Sequence, residues 1–225
     1  MSVSLRYTYT MMIHTIFFDL DNTLYSRNSG IWEAIGERIN LFMTEILNIP
    51  DQDVMPLRKK FRDEFNTTLL GLQSMFDVDE MEYLEFVHDV NLSSILPDGG
   101  QLRRMLSAIP QQKVIFTNSD KAHALRVLSL LEVHDLFGLI VDIIAMKPYV
   151  KPQPQAYQIA LQLAGLETPE GCMFIDDMLE NVEQASEAGF LSVFVGQANE
   201  THHTINDIFQ LPIFLEHYTQ VNRWN

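Results

Sequence analysis

Three short stretches of the chain are apolar without alternation: TIFF (Thr15 to Phe18), KVIF (Lys113 to Phe116) and CMFI (Cys172 to Ile175). Each stops at a polar cluster, Asp19-Leu20-Asp21, Thr117-Asn118-Ser119 and Asp176-Asp177 respectively. Unbroken hydrophobicity predicts strands covered on both faces, as in a parallel sheet, because a strand with one wet face would alternate. LSVFVG, from Leu191 to Gly196, reads as a fourth strand. Helical spacing follows the second and third runs: AHALRVLSLL (Ala122 to Leu131) comes after TNSD, and NVEQASEAG (Asn181 to Gly189) comes after Asp176-Asp177, with Gly189 as a helix stop.

Strand, helix and strand in this order imply an α/β fold with a Rossmann-like, doubly wound parallel sheet, and such sheets bind ligands at the carboxyl ends of their strands. The three polar clusters are therefore expected to meet along one sheet edge. Between Tyr25 and about Leu96 the pattern changes. Ile31 to Leu47, Val54 to Leu72 and Met81 to Val87 carry apolar residues at helical spacing, and strand-like runs are missing. This predicts a helical insertion placed over the first strand's tip, with the PDGG turn (Pro97 to Gly100) returning the chain to the sheet. The expected organisation is an α/β core from 13–25 and 97–225, a helical cap over 26–96, and a disordered extension at 1–12. The tail from Gln197 to Asn225 is less readable, and His202-His203 within it reads as solvated.

A length of 225 residues suffices for one sizeable core carrying a smaller insertion. The formal net charge of -15 repels polyanions, which argues against a nucleic-acid polymer or an anionic membrane as partner but leaves a small phosphate ester open. The one cysteine, Cys172, excludes an internal disulfide and reads as buried packing. The N-terminus lacks an apolar signal region and no later run has the ~18 apolar residues of a membrane span, so a cytoplasmic location is expected.

The chemistry begins with two like charges, Asp19 and Asp21, at the end of a strand, where repulsion and desolvation both oppose them. Asn22 and Thr23 are turn formers, so the chain can bend there and aim both carboxylates into one small cavity. Two acids alone suit general acid/base work. Adding Asp176-Asp177 at the same edge favours a bound cation, and hard oxygen ligands favour Mg²⁺. Each cluster also has a plainer reading: a turn for Asp19 and Asp21, a helix cap for Thr117-Asn118-Ser119, a dipole-stabilised helix start for Asp176-Asp177. His123, near the second cluster, is expected either to reach the substrate or to be a cap or helix-surface residue, and Lys113 to be a solvated charge.

Together the motifs are recognisable. DLDNT (Asp19 to Thr23) resembles the DxDxT motif of the haloacid dehalogenase-like hydrolase superfamily, FTNS (Phe116 to Ser119) its second motif, KPQPQAY (Lys151 to Tyr157) its lysine motif, and FIDDMLEN (Phe174 to Asn181) its acidic fourth motif. The order is the family's, and the resemblance covers about Ile16 to Gly196. It implies that Asp19 is a nucleophile forming an aspartyl-phosphate and that Asp21 is a general acid and then base, able to hold a proton while Asp19 stays ionised. It further implies Mg²⁺ held by Asp19, the Asp21 carbonyl and at least one of Asp176 and Asp177, with Asn181 and Thr23 in support. Thr117, Asn118 and Lys151 would bind phosphate. Lys147-Pro148 is the rival for the lysine position.

The second aspartate favours phosphate chemistry over dehalogenation, since a halide leaves without a proton. FFDLDNTLY, TNSDKAHALRVL and the insertion segments Gly71 to Tyr83 and Val87 to Asp89 are similar to pyrimidine 5'-nucleotidases of this superfamily, although Ser119 stands where alanine is common. That resemblance implies a UMP or CMP phosphatase, with Phe76, Tyr83 or Phe86 either as a shelf for the base or as core. A sugar-phosphate or phosphoglycolate-type phosphatase, a phosphomutase, and a non-catalytic binding protein on the same scaffold stay open.

Overall fold

The computed structural model of the protein describes residues 12–198 and 201–221. Residues 1–11 of the expected N-terminal extension lie outside them; Met12 is exposed and Ile13 is already buried. Six strands form one parallel sheet: β1 (Thr15–Phe18), β2 (Gln112–Phe116), β3 (Leu139–Val141), β4 (Cys172–Asp176), β5 (Leu191–Val195) and β6 (His203–Ile205). Their spatial order is β3-β2-β1-β4-β5-β6. The order reverses at β1, between β2 and β4, and this switch point is where a doubly wound sheet leaves a crevice.

Register makes the crevice chemical. Phe18 lies level with Ile115 on one side and Ile175 on the other, so the residue after Phe18 stands beside the residues that follow those two. Asp19 accordingly donates its backbone N–H to the Ile175 carbonyl at 2.9 Å. The tips of the three central strands end in line, carrying their polar clusters together.

The apolar runs are unbroken because both sheet faces are covered. Phe17, Phe116 and Phe174 point to one face and pack with Tyr157, Ala160 and Leu161 of helix α7 (Pro154–Leu163) and with Phe190. Ile16, Phe18, Ile115 and Ile175 point to the other, against Leu102 and Leu106 of α5 (Gly100–Ser107) and Val127 and Leu128 of α6 (Lys121–Leu130). Edge-to-face ring pairs such as Phe17 with Phe190, centroids 5.5 Å apart, fix the first layer. Helix α8 (Leu179–Glu187) follows β4 and ends before Gly189, whose φ of 95° supplies the left-handed stop. A last helix, α9 (Leu211–Val221), follows β6.

The chain between β1 and β2 is helical. It contains α1 (Ile31–Leu41), which runs into a π-helical turn at Phe42–Ile46, then α2 (Asp51–Phe65), α3 (Thr68–Met75) and α4 (Glu80–Val87). The periodic stretch Val54 to Leu72 is two helices rather than one. Asn66 turns the chain with φ 68°, and the Thr67 hydroxyl accepts the Leu70 N–H at 3.1 Å as an N-cap. Tyr83 and Phe86 stack edge-on against Phe42 at 5.0 and 5.4 Å inside this helical packing, which places Tyr83 in its core and Phe86, half-buried under the Arg38 guanidinium, at its border. Phe76 is half-buried against the same cluster.

One single-residue expectation is corrected. Lys113 is buried within β2, where its ammonium donates to the carbonyls of Ile109 at 2.6 Å and Gln111 at 3.0 Å. Cys172 is buried as expected, and burial pushes its thiol up to about 11, so it stays unreactive at neutral pH. Among the described residues no helix is long and apolar enough to cross a membrane.

Candidate active site

The loops after β1, β2 and β4, together with the turn before α7, bring the motif residues to one point. Lys151 is 1% exposed, and its Nζ donates to Asp19 Oδ1 at 2.8 Å and to Asp176 Oδ2 at 2.6 Å. Asp19 Oδ2 accepts from the Thr23 hydroxyl at 3.2 Å. Asn118 positions the lysine: its side-chain amide both donates to the Lys151 carbonyl and accepts the Lys151 N–H, each at 2.9 Å. The rival Lys147 is half-exposed and pairs with Glu80 of α4, so the lysine in the carboxylate cluster is Lys151.

Asp176 is fully buried and heavily bonded. Besides Lys151, it accepts from the Met178 N–H at 2.8 Å and from the Asn181 amide at 3.1 and 3.0 Å. Asn181 thus supports Asp176, and α8 carries the support. Asp177 accepts from Arg27 at 2.6 Å through Oδ2; Arg27 sits just past the first motif and was not singled out by any motif. Thr117 is buried at the end of β2 and its hydroxyl accepts the Ser119 N–H at 3.0 Å, the bond that shapes this loop.

Asp19, Asp176 and Asp177 each present an oxygen within 4.8 Å of the others, so three buried carboxylates are set against two cations, Lys151 and Arg27. Burial pushes the Asp19 carboxyl well above its ordinary value, Lys151 pulls it back, and Asp176 and Asp177 push it up again. Asp177 is raised by burial and by Asp176, against the pull of Arg27. Lys151 loses by burial but gains more from Asp176 and Asp19, so its ammonium is held charged. The donor set is all carboxylate oxygen and leaves negative charge in excess, which suits a hard divalent cation.

Asp21 lies two residues from Asp19 in a different setting. Its Oδ1 accepts from the Tyr25 hydroxyl at 2.5 Å and from His123 Nε2 at 2.9 Å, and its Oδ2 accepts from the Ser119 hydroxyl at 2.7 Å. Burial alone would raise this carboxyl, but His123 and the three hydrogen bonds outweigh it and hold Asp21 well below the usual carboxylate range. The protein's own field thus favours the ionised form at Asp21 and opposes it at Asp19. The physical reason is the company each keeps, donors around Asp21 and acids around Asp19.

Of the readings for His123, the helix-surface one is excluded: the ring is fully buried on the inner side of α6. Ser119, of the second cluster, donates to one of the two acids. Spacing gave no signal for either contact, because 98 residues separate Ser119 from Asp21 and 102 separate His123 from it. His202-His203 lies elsewhere, with His203 exposed at β6 and His202 within 4.0 Å of Glu183.

The family model described as haloacid dehalogenase-like hydrolase matches residues 13–189. Phosphate metabolism protein 8 of Saccharomyces cerevisiae is 28% identical over 187 residues, 77% of this chain and 58% of its own length. The chain thus spans little more than half of that relative. Among solved structures, a HAD phosphatase from Thermococcus onnurineus has a TM-score of 0.63 at 17% identity, covering 90% of this chain and 97% of its own. The HAD-hydrolase YfnB from Bacillus subtilis, bound to magnesium, has a TM-score of 0.62 at 17% identity, covering 91% and 99%. At these identities the two structures speak for the fold alone.

Proposed function

The chain belongs to the haloacid dehalogenase-like hydrolase family, and from that premise we propose that it hydrolyses small phosphate monoesters through a phosphorylated Asp19. The observation that carries the reading is the separate partnering of two acids in one motif. Asp19 is tied to a cationic lysine amid other carboxylates, whereas Asp21 is tied to hydroxyls and an imidazole.

In the first half-reaction a carboxylate oxygen of Asp19 attacks phosphorus as the bond to the leaving oxygen breaks, and Asp21 protonates that oxygen. A phosphate dianion arriving beside Asp21 adds negative charge and raises its proton affinity, so Asp21 can take up from solvent, as the substrate binds, the proton this step needs. In the second half, ionised Asp21 takes a proton from water, the water oxygen bonds to phosphorus, and the bond to Asp19 breaks to release inorganic phosphate. Lys151 offsets charge on the phosphoryl oxygens, and the Thr117 hydroxyl with the Asn118 N–H binds them. Mg²⁺, held by Asp19, the Asp21 carbonyl and the Asp176-Asp177 pair, would supply further neutralisation of the transferred group. Asp177 has the less encumbered carboxylate of that pair, since Asp176 accepts four hydrogen bonds.

For the substrate we favour a pyrimidine nucleoside 5'-monophosphate, UMP or CMP, with the helical insertion of 26–96 as the cap that selects it. The support is the resemblance of its segments Gly71 to Tyr83 and Val87 to Asp89. Tyr83 is committed to core packing, so any shelf for the base has to come from the half-buried Phe76 or Phe86 or from other residues. The test is p-nitrophenyl phosphate hydrolysis with and without Mg²⁺, for wild type and Asp19→Asn, followed by a panel of phosphate esters. Activity surviving chelation and Asp19→Asn would remove the mechanism; sugar phosphates turned over as well as UMP and CMP would remove the nucleotidase reading.

A further inference from the structure

His123 is a fully buried imidazole whose Nδ1 has no hydrogen-bond partner. A buried N–H without an acceptor costs more than a bare lone pair, and Nε2, 2.9 Å from Asp21 Oδ1, is the ring nitrogen that has an acceptor for its proton. An ordinary core histidine would spend its N–H on a nearby carbonyl. This one spends it on the acid of the first motif.

The ring is itself held. His88, which caps the C-terminus of α4, lies parallel to it, with centroids 4.3 Å apart and planes 23° apart. His88 Nδ1 is 2.5 Å from Asp120 Oδ2, while Asp120 Oδ1 accepts the His123 N–H at 3.0 Å as the N-cap of α6. Arg126, one turn further along α6, donates to the His88 carbonyl at 2.8 Å. One aspartate thus fixes the backbone of His123 and the ring stacked on it.

We propose that His123 is a positioning residue for Asp21. Its Nε2–H and the Tyr25 hydroxyl together occupy Oδ1, which leaves Oδ2, bonded only to the Ser119 hydroxyl, as the oxygen that exchanges a proton with the leaving group. His88 and Asp120 are the brace that keeps the imidazole in place. This rests on the reading of Asp21 as general acid. Its consequence is specific: losing His123 misaims the acid, so it penalises leaving groups that need a proton and spares those that do not.

The experiment compares kcat/KM with Mg²⁺ for phenyl phosphate and p-nitrophenyl phosphate, which share a shape but differ in leaving-group basicity. Wild type, His123→Ala, His123→Gln and Asp21→Asn are measured. General acid catalysis is worth about 10²–10⁴-fold, so a misaimed acid is expected to cost about ten- to a hundredfold more on phenyl than on p-nitrophenyl phosphate in His123→Ala. His123→Gln, whose amide can reach Oδ1, is expected to regain most of that difference, and Asp21→Asn to show the steepest dependence. Equal losses on both esters in His123→Ala, with Asp21→Asn still leaving-group dependent, overturn the role of His123 alone. No leaving-group dependence in Asp21→Asn overturns the acid itself. Should His123→Ala fail to fold, His88→Ala, which loosens the ring but keeps its bond, is expected to show a smaller dependence of the same sign; its absence counts equally against the proposal.

Discussion

Lys151 is one ammonium serving two buried carboxylates, and its removal leaves both without their cation. Lys151→Met keeps the apolar stem but strands the charges, and breaking a buried pair this way costs about 3–5 kcal/mol. The loss is expected in urea unfolding at neutral pH and is expected to shrink in mild acid, where Asp19, already pushed up by burial and by its acidic neighbours, takes a proton. A pH-independent loss would mean that the lysine serves packing alone. The motif residues around it were legible because each lies within a few positions of a strand end, where hydrophobicity stops and acids or hydroxyls begin. Tyr25, Ser119, His123 and Arg27 were not, because what makes them matter is a contact across the fold. The spacing of Tyr25 four residues after Asp21 was available, but it marks a loop contact here and carried no helical or strand pattern.

At the scale of elements, the central strands and the helices after them were legible, since burial on two faces leaves an unbroken apolar signature. β3 was missed: it has three residues, lies at the sheet edge, and two of its three are only half-buried. β6 and α9 fall in the stretch where polar and apolar residues mix without a period. The join between α2 and α3 was hidden because apolar spacing continues across it, and only Asn66 and Thr67 mark the break. Gly71 explains how tightly the two helices meet. A Cβ there would stand 2.2 Å from the Phe61 ring, so α3 approaches α2 only because this position has no side chain. Gly71→Ala is expected to destabilise the protein by about 1–3 kcal/mol through overpacking, despite alanine's better helix propensity. Thermal or urea unfolding decides it, and a stabilised variant would show that the two helices can part without cost.

For the whole molecule, the helical insertion is tied to the sheet's edge by a few polar bonds: Glu80 with Lys147, His88 with Asp120, and the His88 carbonyl with Arg126. Burial pushes the His88 imidazole below its ordinary 6.5, against the pull of Asp120, while the neighbouring His123 pushes the same way as burial. The unfolded chain then binds more protons than the folded one, so the stability this neutral histidine permits is full above 6.5 and falls as the pH drops below it. His88→Asn, which keeps a donor for Asp120, is expected to flatten the decline in melting temperature from neutral pH to about pH 5; an unchanged slope would place the acid sensitivity elsewhere. The same joint lies next to Asp21, so insertion and chemistry meet at one histidine stack.

The claim on which the rest depends is the covalent step at Asp19. An acyl phosphate is reduced by borohydride to an alcohol, so protein quenched during turnover with Mg²⁺ and p-nitrophenyl phosphate, then reduced and mapped by mass spectrometry, reports the phosphorylated residue directly. Conversion of Asp19 to homoserine, absent without substrate, is the predicted result. Turnover that leaves Asp19 unmodified while another residue, or none, is converted would contradict it.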